Sequence, residues 1–295
     1  MEFVPTAIPA VVLIKPRVFG DARGYFFESW EARKFAAGGL ELNFCQDNEN
    51  LSARHVLRGL HYQLTQPQGK LVRVVTGSVY DIAVDLRRSS PRNWRNPVTA
   101  PTCWSFYAAT RSEMEFEPTA IADVVLIKPR VFGDARGHFF ESWEERKFAD
   151  GGLDLRFCQD NENLSARHVL RGLHYQLTKP QGKLVRVVTG AVFDVAVDLR
   201  RRSPTFGQWV GAELSQDNHH MLWVPPGFGH GFVVLSESAH FLYKCTDFYA
   251  PKDEHAIAWD DPDLGIDWRL PQGVAPVLSA RDAAARGFRD APYYP

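Results

Sequence analysis

The stretch VLRGLHYQL stands at residues 56–64 and again at 169–177, and each time it brings an arginine, a glycine and a histidine together. Neutral imidazole titrates close to working pH, so His61 and His174 are candidate proton acceptors. Two further groups follow the second occurrence: Lys183, which opens KLVRVVTG, and His230 in PPGFGHGF. An ammonium turned toward an apolar interior is costly unless something anionic meets it. A histidine on an apolar strand is more often a satisfied core residue than a catalyst. The lysine shifts that balance, because base and cation around one interior suit a substrate that develops an oxyanion.

Such groups need strands to hold them. VVLIKP, KLVRVVTG, AVFDVAVDL, HMLWVPP, HGFVVL and HFLYKCT are each strand length, rich in β-branched or aromatic residues, and bounded by Gly, Pro, Asn or Ser. Many short strands predict an all-β barrel or sandwich. One helix is expected, with Ser142 and Glu145 as an SxxE capping box, ERKFA as its body and Gly151–Gly152 as its stop. In the first copy of this stretch Ala32 replaces the glutamate, which predicts a weaker cap.

The copies are extensive. Residues 1–91 align without a gap onto 114–204 and differ at 13 of the 91 positions, so 91 − 13 = 78 are identical. The unit is far too long for a solenoid repeat. After Pro91 the likeness ends, and RNWRNPVTAPTCWSFYAATRSE resembles nothing that follows Pro204. The chain therefore divides into a truncated duplicate of an N-terminal half (1–91), an unrelated junction (92–113) and a complete unit (114–295) that would begin at Met114.

Composition excludes several classes. The 295 residues are 45% hydrophobic and 13% aromatic, enough for a packed core, and 34 Lys+Arg against 35 Asp+Glu leave a net charge of −1. No global field draws the chain to nucleic acid or to a membrane surface, so any anion site must be local. Cys45, Cys103, Cys158 and Cys245 form no CxxC pair and read as reduced, buried thiols. The N-terminus lacks a basic leader before a long apolar run, and no segment has the length of a membrane span. A cytoplasmic protein is expected.

The RGLH block closed by Gly190, with PxGxxH ending at His230, resembles the two motifs of the cupin fold, a jelly-roll β-barrel or double-stranded β-helix. Metal-binding cupins carry HxH and a glutamate in the first motif. Here the second histidine is Gln176 and the glutamate is Lys183. Two of the usual four ligands are gone and one is replaced by a cation, so no metal is expected.

Residues 114–295 resemble the dTDP-4-dehydrorhamnose 3,5-epimerase family, metal-free cupins, through PRVFGDARGHFFESW, FCQDNENLS, VLRGLHYQ, GKLVRVVTGAVFDVAVDLR, SPTFGQW, PPGFGHGF, LYKCTDFYAPKDEH and LSARDAAA. The resemblance implies an isomerase that inverts C3 and C5 of dTDP-4-dehydro-6-deoxy-D-glucose through enolates, without a cofactor. It implies His174 as base, Asp282 as the carboxylate that orients it, Lys183 as the oxyanion stabiliser and Tyr243 as proton donor. It further implies Arg136, Arg171 and Arg281 as phosphate or substrate contacts, Glu141, Gln159, Asn161, His230 and Glu254 at other substrate positions, and Tyr249 stacking on thymine. Alternatives remain: a single-site epimerase on a related 4-keto sugar, or a non-catalytic sugar-nucleotide binder. Family members are homodimers whose N-terminal strand crosses to the partner, carrying Arg136 and Glu141 there. That makes strand donation by 1–91, through Arg23 and Glu28, a further possibility.

Overall fold

A computed structural model describes residues 1–87 and 114–295, together with the strand at 98–99. The first series of elements is β1 (Glu2–Pro5), β2 (Val12–Lys15), β3 (Phe19–Asp21), β4 (Gly24–Glu31), α1 (Ala32–Ala37) and β5 (Gln46–Ser52), followed by the two-residue pieces β6 (Ile82–Ala83) and β7 (Val98–Thr99). The second opens in the same order, with β8 (Glu115–Pro118), β9 (Val125–Lys128), β10 (Phe132–Asp134), β11 (Gly137–Glu144), α2 (Glu145–Asp150) and β12 (Gln159–Ala166). It continues through β13 (Leu170–Gln176), β14 (Lys183–Thr189), β15 (Ala191–Asp198), β16 (Trp209–Ser215), β17 (Met221–Val224), β18 (Phe228–Val234), β19 (Ser238–Cys245) and β20 (Glu254–Ala256), then the short helix α3 (Ala280–Ala283). Each of the six expected strands is present. The remainder of the junction, and Cys103 with it, lies outside the described residues.

Two antiparallel sheets carry the fold, one of eight strands in the order β3-β4-β12-β19-β14-β17-β9-β8 and one of five in the order β16-β15-β18-β13-β20. Period-2 alternation sorts their side chains. Along β15, Val192 and Ala196 join Val185, Val187, Phe232 and Phe241 between the sheets, while Phe193, Val195 and Val197 pack outward under the C-terminal segment with Leu264, Trp268 and Tyr294. A third cluster joins Leu184, Met221 and Trp223 on the outer face of the larger sheet to Phe148 of α2. The expectation of a closed barrel needs correcting. Among the described residues no ladder links one sheet to the other, and the jelly roll is held shut by the apolar filling between its sheets.

The helix cap also differs from expectation. Ser142 lies within β11, and it is the Glu144 carboxylate that accepts from the backbone N–H of Lys147 at 2.8 Å. Glu31 does the same for Lys34 in the first copy, so Ala32 leaves that cap in place. Of the cysteines, Cys245 is buried but Cys45 is exposed; both are free thiols, as is Cys158. No helix among the described residues is long and apolar enough to cross a membrane.

Identical sequence does not give identical structure in the two series. In 169–177 the motif forms β13, with Leu170 and Leu173 fully buried; at 56–64 it is irregular, and the equivalent Leu57 and Leu60 are 82% and 61% exposed. The first series stops before any counterpart of β16–β19, and among the described residues none buries those side chains. Elsewhere the series are interleaved: β4 pairs with β12, and β11 pairs with β5.

Candidate active site

The five-stranded sheet supplies the histidines. His174 on β13 stands directly opposite His230 on β18, where a bulge re-aims β13 after Arg171. Gly172 permits that approach: its φ is +135°, and a Cβ there would sit 2.5 Å from the Cα of Gly231. The glycine of RGLH is thus a packing requirement. His230 is buried, with Nε2 3.0 Å from each carboxylate oxygen of Asp194, itself fully buried on β15. Burial pushes the His230 imidazole down and the Asp194 carboxyl up, each opposed by the other's charge.

From the eight-stranded sheet come Lys183 on β14 and Tyr243 on β19, both on the alternation that faces the interior. Lys183 lines a small cavity of about 20 Å³ with His174, Gln176, His230, Tyr249 and Glu254. Burial draws its ammonium below the ordinary lysine range, with Glu254 and Asp194 among the groups opposing the shift. Tyr243 is not among that cavity's walls. Burial holds its phenol well above its usual range, and the guanidinium of Arg171 acts against the shift. Next to it on β12, Asn161 stands opposite Tyr243, and Gln159 donates to the Asn161 side-chain oxygen at 2.9 Å.

The third source is the C-terminal segment. Ser279 caps α3 by accepting from the backbone N–H of Asp282 at 2.9 Å, which places the Asp282 carboxylate 2.6 Å from Nε2 of His174. Asp282 is buried; burial alone would raise its pKa, but the His174 contact and the Ser279 cap outweigh this and hold it below the usual carboxylate range. Nearby, Glu254 on β20 accepts from the Tyr249 hydroxyl at 2.6 Å and pairs with Arg281, which also donates to the Glu254 carbonyl at 3.0 Å. Arg171 donates to Ser165 at 3.0 Å, and burial, reinforced by Arg23, lowers its pKa.

Most of the candidates therefore gather where the sheets face one another, but Arg136 and Glu141 do not. Arg136 pairs with Asp134 on an exposed hairpin, where its carbonyl accepts from Ala53. Glu141 accepts from Gln46 of the first series at 2.9 Å. Their equivalents Arg23 and Glu28 occupy the corresponding places on the second unit: Glu28 stands opposite Asn161, and Nη1 of Arg23 lies 3.9 Å from Asp282. Two participants were missed from sequence. Asp194 interrupts the apolar run AVFDVAVDL, a signal that could have been read; Ser279, three residues before Asp282, is a capping signature.

Gln176 proves to be a loop anchor. Its side-chain amide donates to the carbonyls of Lys179 and Phe248 and accepts from the N–H of Ala250. Among the described residues the cluster suited to a cation is Glu49, His138 and His219, with ligand atoms within 4.8 Å of one another, at the seam between the two series. The Arg186 guanidinium already pairs with Glu49 there, which opposes a cation. A groove of about 2380 Å³ also lies along this seam and is walled mainly by residues 43–82. It does not contain His174, Lys183 or Asp282.

Comparison with known proteins gives consistent matches. A family model described as dTDP-4-dehydrorhamnose 3,5-epimerase matches residues 5–97 and 118–290. The dTDP-4-dehydrorhamnose 3,5-epimerase of Pseudomonas aeruginosa is 59% identical over 177 residues, covering 60% of this chain and 97% of that protein. A dTDP-6-deoxy-D-glucose-3,5-epimerase from Legionella pneumophila, solved in complex with dTDP-4-keto-L-rhamnose, is 49% identical with a TM-score of 0.59, over 61% of this chain and 95% of that one. A 3'-monoepimerase from Streptomyces bikiniensis, solved with dTDP-quinovose, is 35% identical with a TM-score of 0.54, over 58% and 86%.

Proposed function

The chain belongs to the dTDP-4-dehydrorhamnose 3,5-epimerase family, and from that premise we propose that it is an isomerase that inverts C3 and C5 of dTDP-4-dehydro-6-deoxy-D-glucose. Its working unit in this reading is 114–295, preceded by the truncated copy 1–91 and the junction 92–113, in a soluble cytoplasmic protein. Both stereocentres flank the C4 ketone, so each C–H is acidified by the same carbonyl and each inversion passes through an enolate.

The His174–Asp282 contact carries this reading. A carboxylate that accepts from Nε2–H fixes the tautomer in which Nδ1 is the free base, and it stabilises the imidazolium formed after proton abstraction. Lys183, which reaches the same cavity from the opposite sheet, meets the enolate oxygen in this reading. An ammonium there performs the electrostatic task that a metal performs elsewhere. Tyr243, whose phenol burial keeps protonated, serves as the acid that returns a proton from the other face. Arg171, Arg281, Glu254, Tyr249, Gln159, Asn161 and His230 form the surrounding substrate contacts, with Arg171 and Arg281 suited to phosphate oxygens.

A single-site epimerase would use nearly the same groups, and the likeness to the Streptomyces monoepimerase is the observation on its side. Incubation with dTDP-4-keto-6-deoxyglucose in deuterated water separates the readings. Label at both C3 and C5 with an L-configured product is the expected result. Label at one carbon favours the monoepimerase, and no label with retained binding favours a sugar-nucleotide binder.

A further inference from the structure

We propose that residues 1–87 act as a built-in half-subunit. Through β4 they cover the edge of β12 and deliver Arg23 to the site of 114–295, so that one chain holds a complete site without a second copy. The proposal rests on the epimerase reading only for the identity of the ligand.

An uncovered β12 would present a row of unpaired backbone groups. Here β4 covers it from Ser165 opposite Gly24 to Gln159 opposite Glu31, and Ala32 N–H donates to the Cys158 carbonyl at 2.9 Å. The approach is close enough to need glycine. Gly24 has φ +134°, and a Cβ there would lie 1.9 Å from the Leu164 carbonyl oxygen. Charges lock the seam as well. Arg73 pairs with Glu162, and Lys244 sits between Asp47 at 2.6 Å and the equivalent Asp160 at 2.8 Å.

The consequence for the site is asymmetric. Arg23 immediately precedes β4; its carbonyl accepts from Ala166, and Nη1 lies 3.9 Å from Asp282. Its guanidinium is also a like charge for Arg171, adding to the effect of burial there. An anion that bridges both relieves that repulsion, which a diphosphate does with its two phosphoryl groups. Arg136, the equivalent residue, has nothing comparable to face, because the first copy ends before any counterpart of Asp282. The side chain of Arg23 is 17% exposed and that of Arg136 is 57% exposed.

The test uses the full chain and has two independent readouts. Light scattering at assay concentration is expected to give the mass of one 33.4 kDa chain, a result that needs no ligand. Calorimetric titration with dTDP is expected to show Arg23→Met weakening binding about 10- to 100-fold, the worth of a charge-assisted hydrogen bond. Arg23→Lys should recover part of that loss, and Arg136→Met should bind like the parent; an unchanged melting temperature checks that each variant folds. A mass of two chains, or a larger loss from Arg136→Met than from Arg23→Met, overturns the proposal. If the parent chain fails to bind dTDP at all, the epimerase reading fails, while the mass still decides self-complementation.

Discussion

His174 and Asp282 are 2.6 Å apart although 108 residues separate them in the chain: one sits on a strand of the five-stranded sheet, the other on a single turn of helix near the C-terminus. The pairing holds the imidazole in one tautomer. His174→Ala is expected to abolish deuterium exchange at both carbons, because His174 is the base in this reading. Asp282→Asn keeps the shape but removes the charge that steadies the imidazolium, and a fall in kcat of about 10²–10⁴-fold is expected. Exchange rates followed by proton NMR check both; an Asp282→Asn enzyme with parental exchange would remove the carboxylate from the mechanism.

Lys183 sets stability against activity. Its ammonium is buried, so Lys183→Met is expected to raise the melting temperature while eliminating turnover. The pH dependence follows from the same shift. The folded pKa lies below the free value of 10.5, so between the two the unfolded chain binds more protons than the folded one. In that window folding stability rises with pH, whereas activity falls as the ammonium is lost. Denaturant melts and initial rates across the alkaline range measure the two trends, and parallel trends would contradict this placement of the lysine.

Tyr243 should separate exchange from inversion. With Tyr243→Phe, His174 can still form the enolate, so label enters; without the acid on the other face, inversion falls, most clearly at C5. A Phe variant that inverts both carbons at the parental rate would show that the proton comes from elsewhere.

The first VLRGLHYQL should be silent in proton transfer. His61 lies in an irregular stretch with exposed neighbours, and Lys70 is exposed, where solvent screens its charge. His61→Ala is expected to leave kcat within about two-fold of the parent, because the first copy holds no counterpart of Asp282 or Tyr243 to work with it. Steady-state kinetics beside His174→Ala make the comparison, and a large loss from His61→Ala would mean the first copy takes part in chemistry.

Much of this was legible in the sequence. Period-2 alternation located β9, β14, β15, β17, β18 and β19, because a half-buried strand must place apolar groups on one face whatever its partners are. The histidine and the lysine were singled out from their motifs and the C-terminal aspartate through the family resemblance, and His174 meets Asp282 where the two sheets face each other. Strand pairing was not legible. Which edge β12 finds depends on hydrogen bonds between segments more than a hundred residues apart, and β4 and β11 offer it the same side chains except that Tyr25, which donates to Glu162, stands where β11 has His138. Only the tertiary structure decides that β4 takes that edge, and therefore that Arg23 and Glu28 stand at the second unit while Arg136 and Glu141 turn to the first. The same holds for VLRGLHYQL itself. Local sequence prescribes a strand in both copies, but a strand persists only where neighbouring strands accept its hydrogen bonds and cover its leucines, and the first copy ends before those neighbours are made.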